Sequence, residues 1–136
     1  MGKYIITGGE PLKGNVKIFG AKNSVFKLML AATLSDEEST IENVCLIRNI
    51  EVVKKIVENI GGLVEIDSGL KTAKVSGKNL RSFEVPVELG RESRASSMLI
   101  PALLHRFGKA KVPFPGGDQI GARSLDRHFA GLEKLG

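Results

Sequence analysis

The sequence predicts an α/β fold built from repeated helix–strand units. Three observations carry that reading. Apolar runs at helical spacing alternate with short β-like runs, glycine- and proline-rich turns separate them, and the order helix, strand, helix, glycine occurs twice. With 136 residues, 42% of them apolar, the chain has enough material for one core.

Residues 3–7 and 16–19 read as short strands on either side of the turn-rich Gly8-Gly9-Glu10-Pro11. Residues 24–34 are apolar almost all round, which predicts a buried helix. A strand over 40–44 follows, and lone Cys45 beyond it reads as a small buried hydrophobe rather than a nucleophile. Ile50, Val52, Val53, Ile56, Val57 and Ile60 recur at helical spacing, with Asn49 as the expected N-cap and Gly61-Gly62 as the stop. Residues 63–66 and 73–76 predict a hairpin around Asp67-Ser68-Gly69. A second apolar helix is expected over 94–104, bent at Pro101, then a strand over 109–114. The last helix, 125–135, takes Ser124 as its N-cap and Gly136 as its end.

That order is an internal repeat: helix 24–34, strand 40–44, helix 49–60 and Gly61 return as helix 94–104, strand 109–114, helix 125–135 and Gly136. Arg48 to Gly61 and Arg123 to Gly136 both span 13 residues, and Glu51 aligns with Asp126, Glu58 with Glu133, Ile60 with Leu135. The offset grows from 70–71 in the strand to 75 in the last helix, so the second copy carries about four extra residues, at Gly116-Gly117-Asp118-Gln119. An insertion at a repeat's closing turn is a common place for function. The second copy has no counterpart of residues 63–66, and the chain is expected to be the N-terminal piece of a longer polypeptide.

Composition narrows the function classes. There is no 20-residue apolar span, and Met1-Gly2-Lys3-Tyr4-Ile5-Ile6 is too short an apolar start for a signal peptide. One cysteine makes no internal disulfide, which fits a reducing compartment, so a cytoplasmic location is expected, without a membrane partner. The net charge of +5 calls for an anionic partner. Trp is absent, one Tyr is present, and the basic residues are scattered, so small phosphorylated ligands fit better than nucleic acid.

Pro113-Phe114-Pro115-Gly116-Gly117-Asp118-Gln119-Ile120-Gly121-Ala122-Arg123 is the most informative stretch. Its glycines let backbone N–H groups approach a ligand, Asp118 is a proton-transfer group, and Arg123 is a planar cationic fork suited to phosphate. Gly20-Ala21-Lys22-Asn23 has the same character.

Together with Arg94-Ala95-Ser96 and Leu132-Glu133-Lys134-Leu135-Gly136, those two stretches resemble the UDP-N-acetylglucosamine 1-carboxyvinyltransferase (enolpyruvyl-UDP-GlcNAc synthase) family, in order and across the whole chain. The PGG-x-x-IGAR segment is the most specific of them. The resemblance implies two domains, each a pseudo-threefold assembly of α/β units around buried helices (an inside-out α/β barrel), incomplete here. It assigns residues 1–20 to the first strands of a domain completed by a missing C-terminal part, and 21–136 to a partial substrate domain of two units, about 21–90 and 91–136. The implied reaction moves the enolpyruvyl group of phosphoenolpyruvate to the 3′-hydroxyl of UDP-N-acetylglucosamine with release of phosphate, the first committed step of peptidoglycan synthesis. No cofactor or metal is implied.

By the same resemblance Lys22 contacts phosphoenolpyruvate, where a lone surface lysine would be the plainer reading. Asn23 touches the sugar nucleotide, a role compatible with a helix N-cap. Arg94, with Ala95 beside it, and Arg123 bind substrate phosphates and phosphoenolpyruvate. An arginine opening a helix sits poorly with the helix dipole, which makes Arg94 odd as a mere surface charge. Ser124, Leu125, Asp126 and Arg127 correspond to the stretch that holds the uridine diphosphate. Asp126 is either a contact to uracil or ribose or an acid favoured in a helix's first turn. His128 reads as packing or surface, and Arg48 has no assigned site role.

Asp118 departs from the family. Most members carry cysteine there, the residue alkylated by fosfomycin; some carry aspartate and are insensitive. A carboxylic acid delivers a proton to C3 of phosphoenolpyruvate when its pKa stands above the ordinary carboxylate range, and it is a poorer soft nucleophile than a thiolate. Lys27, Cys45 and Ser124 stand where prolines are common. The implied hydroxyl base lies in the missing domain, so the 136-residue chain alone is expected to be inactive. Two other readings remain. The sister 5-enolpyruvylshikimate-3-phosphate synthases typically show Ser-Lys-Ser where this chain has Ala21-Lys22-Asn23, and a non-catalytic nucleotide-sugar-binding module needs no second domain.

Overall fold

Ile50, Val53, Ile56 and Val57 form one stripe of helix α2 (Arg48–Asn59), and each is buried, as is Ile60 at its end. Such a stripe needs an apolar partner. Helix α1 (Lys22–Ala32) supplies Val25, Phe26, Met29 and Leu30. A three-stranded antiparallel sheet of β1 (Ser39–Ile41), β2 (Leu63–Asp67) and β3 (Thr72–Ser76), in the order β1-β3-β2, supplies Ile41, Val64, Ala73 and Val75. Each fully buried side chain of this kind contributes about 1.5–3 kcal/mol, so the shared core outweighs local helix propensity. The computed structural model describes residues 3–116 and 124–136. The expectations for Asp118 and Arg123 lie outside them.

The hairpin forms where expected. Val64 faces Val75 and Ile66 faces Ala73, and the Asp67 Oδ1 accepts the N–H groups of Gly69 and Leu70 at 2.8 and 2.9 Å. At the other end of β3, the Ser76 hydroxyl donates to the Asp36 carbonyl at 3.0 Å, and the Gly77 N–H donates to the Ser35 carbonyl at 3.0 Å. Glu38 accepts from Lys74 across 3.1 Å; that bond first, and the carboxylate charge second, raises the lysine above its ordinary value.

Beyond the hairpin follow α3 (Val87–Glu92), a 3-10 helix (Arg94–Leu99), α4 (Ile100–Phe107) and α5 (Asp126–Leu135). Leu99 and Leu103 join the common core. Arg106 ties the units together: its Nη2 donates to the Gly77 carbonyl at 2.8 Å and its Nη1 pairs with Asp36.

Several expectations need correction. Residues 3–7 and 16–19 are not strands; their side chains are exposed, Tyr4 at 94% and Ile6 at 91%. A strand needs a neighbour for its backbone groups, and no described segment pairs with them. Strand 40–44 shortens to β1, and strand 109–114 reduces to a single parallel bridge, in which Lys111 N–H donates to Phe83 and Val85 N–H donates to Lys111. Ala21 and Ile47, not Asn23 and Asn49, stand at the N-caps of α1 and α2. Neither forms a side-chain cap, so packing rather than capping fixes those starts. The apolar run from 94 is a 3-10 turn before an α-helix, with Pro101 in the first turn of α4, where its missing N–H costs nothing. Helix α1 is not enclosed all round: Leu28 is half exposed. Cys45 is half-buried and packed against the core.

Candidate active site

The N-terminus of α1, the 3-10 helix and α5 enclose a cleft of about 1050 Å³. Lys22 and Asn23 enter it as the first two residues of α1. Ala21 brings no side-chain acceptor to that first turn, the Ser24 N–H donates to the Ala21 carbonyl at 3.1 Å, and the Lys22 ammonium adds a cation to the positive end of the helix. The Lys22 Nζ lies 6.0 Å from the Phe26 ring centroid, with Phe26 itself anchored in the core.

Arg94 and Ala95 come from the opening of the 3-10 helix. That turn is built from serines. The Ser93 hydroxyl accepts the Ala95 N–H at 3.2 Å, and the Ser96 hydroxyl reaches the Gly90 carbonyl at 2.8 Å and the Ser93 carbonyl at 2.9 Å. Ser93 and Ser96 are both buried, so the backbone that carries Arg94 is fixed from beneath.

Helix α5 completes the wall with Leu125, Arg127, His128 and Gly131. Lys22, Lys27, Arg94 and Arg127 line the same space, and among the described lining residues Glu92 is the acidic one. Apolar side chains such as Leu30, Met98 and Phe129 line the rest. A cleft of this size with convergent cations and apolar walls suits a phosphorylated ligand with a sizeable organic part.

The predicted residues therefore divide. Lys22, Asn23, Arg94, Ala95, Leu125 and Arg127 come together in one space. Ser124 and Asp126 do not line it. Both are exposed, and the Ser124 hydroxyl accepts the Asp126 N–H at 2.9 Å, which supports the start of α5 from just before Leu125 at the N-cap. Asp126 thus occupies the helix-dipole position. Asp118 and Arg123 lie outside the described residues. His128 is exposed, as expected of a surface histidine, and stands at the wall of the cleft. Asn49 and Glu92 were not foreseen as lining residues. Asn49 looks like a cap in sequence, and only the observed cap at Ile47 frees it for another role; Glu92 carries no signal in sequence.

An α/β unit that gathers cations at a helix N-terminus and a serine-built turn has the chemistry to receive an anion. The family model described as EPSP synthase (3-phosphoshikimate 1-carboxyvinyltransferase) matches residues 6–136, and the chain belongs to that family. It is 45% identical over 136 residues to UDP-N-acetylglucosamine 1-carboxyvinyltransferase 3 of Caldanaerobacter subterraneus subsp. tengcongensis, covering all of this chain and 32% of that protein. It is 46% identical over 132 residues to UDP-N-acetylglucosamine 1-carboxyvinyltransferase of Sorangium cellulosum, covering 96% of this chain and 31% of that one. Among solved structures, the enolpyruvyl transferase NikO from Streptomyces tendae superposes with a TM-score of 0.68 at 30% identity, over 76% of this chain and 24% of its own. The fold is the incomplete α/β fold of enolpyruvyl transferases. The chain spans about a third of the length of the curated relatives it matches.

Proposed function

We propose that the full-length protein transfers the enolpyruvyl group of phosphoenolpyruvate to the 3′-hydroxyl of UDP-N-acetylglucosamine and releases phosphate. The observation that carries this reading is the convergence of Lys22, Asn23, Arg94 and Arg127 on one cleft, in a chain 45% identical to a protein of that name. The sister synthase reading is weaker, because the sugar-nucleotide relatives match essentially the whole chain and Ala21-Lys22-Asn23 is not that family's Ser-Lys-Ser.

In the addition step the hydroxyl gives its proton to a base, assigned to the family's other domain, as its oxygen bonds to C2 of phosphoenolpyruvate and C3 takes a proton from an acid, giving a tetrahedral ketal. In the elimination step the C2–O bond to phosphate breaks and C3 loses a proton, which restores the double bond. Lys22 and Arg94 hold the phosphate and carboxylate through both steps, where fixed cations act on charge that moves little. Asn23 contacts the sugar nucleotide, and Leu125 with Arg127 holds its diphosphate end. Asp118 supplies the C3 proton, Arg123 adds a cation, and Ser124 and Asp126 contact the uridine. We also assign residues 1–20 to the family's other domain, in line with their exposed apolar side chains, and residues 21–136 to the substrate domain. No helix among the described residues is long and apolar enough to cross a membrane. A cytoplasmic step of cell-wall synthesis, on which cell shape and division depend, is the setting that fits small-molecule substrates and a lone unpaired thiol.

The test is phosphate release by the full-length protein with both substrates, with and without fosfomycin. Turnover indifferent to the drug supports the reaction and the acid role of Asp118. Turnover abolished by the drug removes Asp118 from that role. Absence of turnover with UDP-N-acetylglucosamine still bound would leave a nucleotide-sugar-binding module.

A further inference from the structure

The last turn of α3 touches both the Arg94 turn and residues 113–116. Gly90 is buried, and its N–H donates to the Pro86 carbonyl at 2.8 Å. Its carbonyl accepts from the fully buried Ser96 hydroxyl at 2.8 Å, and Ser96 belongs to the turn that Arg94 opens. On the opposite side the contacts run to residues 113–116. A Cβ on Gly90 would collide with Cγ and Cδ of Pro113, and a Cβ on Gly116 would collide with the Arg91 carbonyl. Lys111 is held beside Phe83 and Val85 by two backbone bonds, so the approach to residue 113 is fixed as well. The Gly90–Arg91 backbone is thus gripped between the Arg94 turn and Gly116, at van der Waals distances that leave no room for a methyl group.

We infer that Gly90, Ser96 and Gly116 are positioning residues for the transfer reaction: through the Gly90–Arg91 backbone they fix the turn that carries Arg94 into the cleft. The inference rests on the transferase reading given above. None of the three touches substrate. Their role is spacing, because protein interiors transmit a displacement rather than absorb it.

The experiment uses the full-length protein and four variants: Gly90→Ala, Pro113→Ala, the double variant Gly90→Ala/Pro113→Ala, and Ser96→Ala. Initial rates are normalised to folded protein, and Tm and the Kd for UDP-N-acetylglucosamine are measured alongside. A displacement of about 1 Å in a reacting constellation lowers the rate by about 10²-fold, and a loss of that order in kcat is expected for Gly90→Ala. Removing the Pro113 ring atoms in the double variant restores most of it, while Pro113→Ala alone stays near wild type. Ser96→Ala, which leaves space intact, raises KM for phosphoenolpyruvate more than it lowers kcat. If Gly90→Ala lowers Tm but keeps the wild-type kcat per folded molecule, or if the double variant recovers nothing, the inference is wrong. If Gly90→Ala does not fold, Ser96→Ala decides by its split between KM and kcat. A wild type that releases no phosphate overturns the transferase reading instead. Calorimetric binding of phosphoenolpyruvate, weakened in Gly90→Ala and regained in the double variant, then still decides the spacing claim.

Discussion

Helices α2 and α5 align in the repeat read from the sequence, yet Val53 is fully enclosed while His128, 75 positions on, is exposed. The same offset sets Val52 against Arg127 and Ile56 against Gly131. The three residues of α2 are core; the three of α5 line the cleft. Elsewhere the two helices keep matching residues, with Val57 against Leu132 and Glu58 against Glu133, although Leu132 too lines the cleft. Between two helices that align in sequence, a few substitutions on one face thus separate a core helix from one that lines a cleft. In the first unit the β2–β3 hairpin covers the helix; in the second no residue of α5 is buried among those described.

That contrast can be broken first at its core. Ile56→Ala in the 136-residue chain should cost about 2–5 kcal/mol in urea unfolding, against less than about 1 kcal/mol for Leu132→Ala. Equal losses would mean that α5 is packed as tightly as α2. Two glycines should respond with opposite sign. A Cβ on Gly77 would strike the Thr33 carbonyl, so Gly77→Ala should destabilise by about 1–3 kcal/mol. Gly131 lies inside α5 with open space around it, so Gly131→Ala should stabilise by about 0.5–1 kcal/mol while weakening UDP-N-acetylglucosamine binding in the full-length protein. Thermal melts of both variants check the pair.

Arg106→Met removes the bond that joins the units, at an expected cost of about 1–3 kcal/mol, with the remaining structure intact by circular dichroism. The smallest effect belongs to Lys74. Its raised value means that the stabilising contribution is complete below the ordinary lysine range and is lost as pH rises through the folded-state value. Because the pair is exposed, melting curves of wild type and Lys74→Met should differ little at neutral pH and converge further at alkaline pH. A divergence there would reverse the sign.

Much of this was legible in sequence where a residue pattern and a packing partner coincide. The stripe of α2 and the Asp67-Ser68-Gly69 turn each specify their own geometry, and both formed as read. Residues 3–7 carry the same strand-like pattern but find no neighbour, and hydrogen-bond pairing is not a local property. Helix α3 escaped notice because six residues behind Pro86 give too short a period to detect. Within the cleft, Lys22 and Arg94 were found through short motifs. Asn49 was hidden because its helix-cap reading was chemically reasonable. No local pattern announces the serine-built support beneath Arg94, since its contacts join α3 to the 3-10 helix.

The run of exposed apolar side chains before Gly20 also makes this chain a substrate for proteases. Tyr4, Leu12 and Phe19 offer cleavage sites to enzymes of chymotrypsin-like preference, in an exposed segment outside any helix or strand. Gly20 abuts the Asn43 backbone, and the residues after it enter α1. Digestion should therefore halt near that point and leave a trimmed product whose new amino terminus lies almost beside Lys22.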